Sequence, residues 1–93
     1  MNIVLRDSFL RACRRLTRDE LSVLMQIFVD LRADLADPAR HSGLGLRKLN
    51  PYPVWEARLG LKMRAIFRLE DDRVIFVFLG MHDEVRRFLR NQQ

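Results

Sequence analysis

The apolar residues of this chain change period once along its length. Between Ser8 and Leu35 they recur at helical spacing, and between Val54 and Leu79 they alternate or run together as strand residues do. A chain of 93 residues can enclose only one hydrophobic core. Both halves must therefore pack on each other within a single domain spanning residues 1–93, and helices followed by strands define an α+β architecture. In the helical half, Ile3–Leu5 suits a short strand, and Ser8 opens a segment with Phe9, Leu10, Cys13 and Leu16 on one side. Thr17 followed by Glu20 has the spacing of a capping box, and Leu21, Leu24, Met25, Phe28, Leu31 and Leu35 mark a long amphipathic helix that Asp37–Pro38 should stop. Helices joined so tightly predict an antiparallel hairpin. His41–Gly45 reads as loop.

In the strand half, Val54–Leu59, Met63–Glu70 and Arg73–Gly80 predict a three-stranded antiparallel meander with turns at Gly60–Lys62 and Asp71–Asp72. Its first two strands alternate apolar with charged residues, so one face packs on the hairpin and the other is polar. Val74–Leu79 does not alternate and predicts an interior strand covered on both faces. A short basic helix, roughly Glu84–Arg90, ends the chain.

Hydrophobic residues at 48% and charged residues at 31% place the chain among folded domains and not among disordered ones. The longest apolar run, Val74–Met81, falls far short of the roughly 18–20 residues of a membrane helix. Met1–Arg6 meets a charge too early for a secretory signal. Cys13 stands alone, and no Cys/His cluster has zinc-like spacing. A cytoplasmic protein without structural metal or cofactor is expected.

The net charge of +5 is not spread evenly. Cations and anions balance in residues 1–39 and again in 65–93. The excess lies in 40–64, where Arg40, Arg47, Lys48, Arg58, Lys62 and Arg64 face only Glu56. Such a local field suits a phosphate-bearing partner. If the turn after Leu59 has three residues, Arg58 directly opposes Arg64 on the polar face. Opposed like charges are destabilising by a few tenths to about 1 kcal/mol. Two readings follow: an anion held between the guanidinium groups, or a structural salt bridge in which Glu56, diagonal to Arg64, neutralises the pair. His82, just after the third meander strand, has the ring chemistry for general acid–base work; next to Asp83 it is equally suited to a strand-end hydrogen bond. Tyr52 and Trp55 are possible stacking surfaces, although Trp55 falls on the core face. Cys13 is most simply a small core residue.

With these residues in view, the chain resembles the RelE/ParE toxin superfamily over nearly its whole length. The likeness rests on the strand, the helical hairpin, Gly45–Leu49 leading into residues 54–68, the Arg-x-Gly-x-x-x-Arg element at Arg58, Gly60 and Arg64, and the Gly-x-His-Asp element at Gly80, His82 and Asp83. The resemblance implies a hairpin packed on one face of a small antiparallel sheet with the functional face opposite. It also implies a type II toxin that cuts messenger RNA on the ribosome without a metal, by attack of a ribose 2′-hydroxyl on the adjacent phosphorus. Arg64 would then hold the scissile phosphate, Arg58 would assist, and His82 would move a proton. Arg47, Lys48 and Lys62 would contact RNA phosphates. Many RelE-like nucleases carry a tyrosine near the C-terminus, where this chain has Arg86, and Val54 and Glu56 stand where such nucleases have basic residues. ParE-like members inhibit DNA gyrase instead, and a non-catalytic antitoxin-binding relative is the third reading.

The resemblance also implies a cognate antitoxin in a hetero-oligomeric complex. By strand parity Val54, Ile66, Ile75, Val77 and Leu79 should share the arginine face. There Ile66, Val77 and Leu79 would line an apolar groove for an antitoxin segment.

Overall fold

The computed structural model describes residues 2–36 and 46–91. The expected helix stop at Asp37–Pro38, the loop His41–Gly45 and Arg40 lie outside the described residues.

Strand β1 (Asn2–Leu5) leads through α1 (Asp7–Ala12) and a single 3-10 turn (Cys13–Arg15) into α2 (Arg18–Ala36). The capping box is formed as expected. The Glu20 N–H donates to Thr17 Oγ1 at 3.1 Å, and the Thr17 N–H donates to Glu20 Oε1 at 2.8 Å. The buried stripe of α2 is Leu24, Ile27 and Leu31, with Phe28 partly covered. Leu21 and Met25, expected in that stripe, are exposed because the helix turns the i, i+3, i+7 row centred on Ile27 toward the sheet.

Strands β2 (Leu46–Lys48), β3 (Trp55–Arg58), β4 (Met63–Glu70) and β5 (Arg73–Met81) follow, and α3 (His82–Arg90) closes the chain. The five strands form one sheet in the order β1-β5-β4-β3-β2. The sheet is mixed: β1 runs parallel to β5, while the other neighbours are antiparallel. A parallel partner needs a long crossover, and here the helical hairpin and the other strands all intervene between β1 and β5. Strand β2 is an addition to the three-stranded meander expected from the sequence. Three residues, two of them cationic, are too few to display an alternation.

Gly60, with φ 151°, sits in the three-residue turn between β3 and β4, a conformation that L side chains avoid. Across that turn the Leu59 N–H donates to Met63 O at 3.0 Å. At the next turn Asp71 adopts φ 53°, within the left-handed region that Asp tolerates.

Two apolar clusters sandwich the sheet. On the hairpin side Phe76, fully buried, meets Phe9, Phe28 and Phe67 with ring centroids 5.1–5.2 Å apart. Trp55 stacks on Phe67 there, and Cys13 is half-buried against the same cluster, where burial pushes its thiol pKa up. On the opposite side Val54, Ile66, Ile75 and Val77 are covered by Val85 and Leu89 of α3. Interior strand β5 is thus covered on both faces, as its unbroken apolar run implied.

The expected apolar groove needs two corrections. Ile66 and Val77 do lie on the arginine side, but the chain's own α3 fills the space above them. Leu79 lies on the other side, in the hairpin core, because the β4–β5 ladder slips by one residue. Ile66 pairs with Phe78 and Phe67 with Phe76, leaving Val77 as the extra residue of a bulge. A one-residue insertion reverses the faces of everything beyond it.

Candidate functional site

The register across β3 and β4 places Ala57 opposite Ala65 and Arg58 opposite Arg64. Since the Leu59–Met63 pair beyond them is hydrogen-bonded, the two arginines form a non-hydrogen-bonded pair, the type in which facing side chains stand closest. On the next strand Gly80 is opposite Arg64. A row of Arg58, Arg64 and Gly80 therefore crosses three strands, and His82 opens α3 two residues further along the chain.

These groups converge on one cleft of about 410 Å³, lined by Leu46, Arg47, Glu56, Arg58, Arg64 and His82. Three guanidinium groups thus share the cleft with a single carboxylate. Of the sequence-derived candidates, Arg47, Arg58, Arg64 and His82 come together. Lys48 and Lys62 do not line the cleft. Lys48 projects from β2 toward a neighbouring depression that it shares with Arg47, and its Nζ donates to Tyr52 O at 3.2 Å. Lys62 is exposed in the β3–β4 turn.

The cations differ in how firmly they are held. The Arg64 side chain is only 13% exposed; its Nε lies 3.5 Å from Glu56 Oε1, and its NH1 donates to the carbonyls of Gly60 (3.3 Å) and Met63 (3.4 Å). Arg47, 65% exposed, approaches the same Glu56 oxygen at 3.7 Å. Arg58 is exposed and makes no ion pair among the described residues. Glu56 is the one buried charged residue among the described residues, 5% exposed. The salt-bridge reading is therefore realised in part: Glu56 engages Arg64 and Arg47 but not Arg58. Burying a carboxylate is unfavourable unless it is paired, and the two arginines supply the pairing. His82 is exposed at the first position of α3.

Such an arrangement can bind a phosphodiester. Arg64 is a held cation, Arg58 and Arg47 are exposed ones, and an imidazole stands at the rim for proton transfer. Among the described residues, no three His, Cys, Asp or Glu side chains cluster as a metal site would require, and no helix is long and apolar enough to cross a membrane.

The contacts that hold the strand-to-helix junction presenting His82 carry little signal in the sequence. Glu84 accepts a 2.7 Å hydrogen bond from the Met81 N–H and a two-pronged contact from Arg15, with NH2 to Oε1 at 2.9 Å and NH1 to Oε2 at 3.3 Å. The Arg15 hydrogen bond, then the Met81 N–H, hold the Glu84 carboxyl pKa below its usual range, and the same pairing raises that of Arg15. With the two partners 69 positions apart in the chain, only the opposite charges hint at the contact.

Neither a family model nor a curated protein sequence matches the chain. Solved structures do. The chain superposes on a copper-bound mutant toxin from Helicobacter pylori with a TM-score of 0.69 and 24% identity, covering 91% of this chain and 98% of that one. It superposes on YafQ from E. coli at 0.62 and 14% identity, with 90% and 96% covered. For a YoeB/ParE toxin from Agrobacterium tumefaciens the values are 0.59, 19%, 88% and 99%. The architecture is therefore the α+β fold of RelE/ParE-like toxins, in agreement with the resemblance read from the sequence.

Proposed function

We propose that the protein is the toxin of a type II toxin–antitoxin pair, acting in the cytoplasm as a ribosome-dependent, metal-independent endoribonuclease on messenger RNA. The observation that carries this reading is the convergence of Arg58, Arg64 and His82, from three different elements, on one cleft. In the reaction a ribose 2′-oxygen attacks the adjacent phosphorus as the 2′-proton is taken up. The bond to the 5′-oxygen breaks and that oxygen is protonated, leaving a 2′,3′-cyclic phosphate and a 5′-hydroxyl. Negative charge builds on the non-bridging oxygens in the transition state. Arg64, held by Glu56 and two carbonyls, is a preorganised partner for that charge. Arg58 adds a second cation, and His82 is the candidate for one of the two proton transfers.

A cognate antitoxin is the expected protein partner. Its acidic groups would meet Arg47 and Arg58, whose exposure leaves them available.

Glu56 favours a second reading. A carboxylate inside the cleft neutralises part of the field and opposes an incoming phosphate, as suits a gyrase inhibitor or a non-catalytic antitoxin binder on the same fold. Expression in growing cells separates the readings. The nuclease predicts growth arrest with cleaved message, abolished by Arg64→Ala and by His82→Ala. Arrest with DNA damage, filamentation and intact message would assign gyrase, and no arrest would leave the binder.

A further inference from the structure

The turn from β5 into α3 is held by contacts that bear on His82 and have no evident role in binding RNA. Glu84 occupies the third position of α3, yet both its carboxylate oxygens are engaged outside the helix. One takes the Met81 N–H, one of the otherwise unsatisfied donors at a helix start, and both meet the Arg15 guanidinium at the end of the hairpin's 3-10 turn. Gly80 completes the junction. A Cβ there would stand 3.1 Å from Glu84 Cβ, 3.1 Å from its Oε1 and 2.9 Å from the Phe78 ring, which is itself stacked on Phe88 of α3 at 4.5 Å. The absence of a side chain at position 80 is what lets Glu84 fold back onto the Met81 N–H.

We propose that Glu84, clamped by Arg15, is a positioning residue for His82: it fixes where β5 ends and α3 begins, and so sets the direction in which the imidazole enters the cleft. His82 lies between Met81, whose N–H is held, and Glu84, which holds it. A helix start displaced by one residue would turn the ring by about 100° about the helix axis. Arg15 matters because it ties this turn to the helical hairpin through both of its terminal nitrogens. This rests on the nuclease reading for its catalytic readout and is independent of it for its structural one.

The test follows the His82 ring resonances by NMR in the full chain, together with kcat and KM for message cleavage on ribosomes. Glu84→Ala removes both acceptors. It should shift the His82 resonances and lower kcat by about 10²-fold, the scale of a misplaced catalytic group, with KM little changed. Glu84→Gln keeps an acceptor oxygen for Met81 and Arg15 and should restore both readouts. The charge reversal Arg15→Glu with Glu84→Arg keeps an ion pair but no acceptor for the Met81 N–H, and should fail to restore them. Arg15→Ala, which leaves Glu84 in place, should shift the same resonances in the same direction, and it carries the test if Glu84→Ala does not fold. Unchanged His82 resonances in Glu84→Ala and Arg15→Ala would overturn the proposal, as would full restoration by the charge reversal. If the wild type cuts no message, the nuclease reading fails and the resonances alone decide.

Discussion

Arg58 stands directly across the β3–β4 ladder from Arg64, and among the described residues only Arg64 of the two has a carboxylate within reach, Glu56 Oε1 at 3.5 Å from its Nε. The pair is thus half neutralised. Like charges facing one another on adjacent strands are destabilising, and an anion lodged between them reverses the sign. Inorganic phosphate should therefore raise the thermal midpoint of the wild type, and should do so less in Arg58→Ala. Equal shifts, measured by calorimetry over a phosphate titration at constant ionic strength, would place the bound anion elsewhere.

Removing the charge of Glu56 strips Arg64 of its buried partner. Glu56→Gln should destabilise the fold, by up to about 3 kcal/mol, because the nearly buried Arg64 guanidinium loses its counter-charge. It should also enlarge the phosphate-induced shift, since the cleft then holds three cations and no anion. Urea unfolding with and without phosphate reads both effects.

Thr17 and Glu20 test the hairpin independently of the cleft. Thr17→Ala should lower stability by about 1 kcal/mol through loss of the N-cap acceptor. It should move the urea midpoint without changing the slope, and leave message cleavage as it was.

Phe76 is the keystone of the hairpin-side core, ringed by Phe9, Phe28 and Phe67. Phe76→Ala should cost about 3–5 kcal/mol, a large fraction of the 5–15 kcal/mol typical of a domain. Loss of the cooperative thermal transition, or a midpoint tens of degrees lower, is the expected result by circular dichroism.

Acid should weaken the α3 junction in a defined direction. The Glu84 carboxyl pKa is depressed in the folded state, first by Arg15 and then by the Met81 N–H. Its contribution to stability is complete above the unfolded carboxyl value of about 4.3 and disappears as pH falls through the lower folded value. The stability difference between wild type and Glu84→Ala should therefore be constant above about pH 5 and narrow as the solution is acidified, as followed by urea unfolding across that range.

Several of these relationships were legible in the residues. Alternation along 54–59 and 63–70, with a glycine-led turn between them, determined which residues face each other, so the Arg58–Arg64 pair followed from counting. The Thr17–Glu20 spacing carried its own capping geometry. What escaped were features without a local signature. The bulge at Val77 reverses the face of Leu79, yet nothing in an unbroken apolar run marks where a ladder slips. Strand β2 is three residues long and earns its place by pairing with β3. The amphipathicity of α3 was visible, but not that its apolar side would close over Ile66 and Val77. Arg15 and Glu84 meet only because the hairpin and the end of β5 are brought together by the whole fold.

The central claim is that the cleft cuts message and that Arg64 holds the scissile phosphate. Primer extension on a reporter message, after induction of the wild type or Arg64→Ala in growing cells, tests it most directly. The account predicts discrete cuts at in-frame codon positions with the wild type and none with a folded Arg64→Ala protein. Intact message during wild-type growth arrest, or identical cuts from Arg64→Ala, would contradict it.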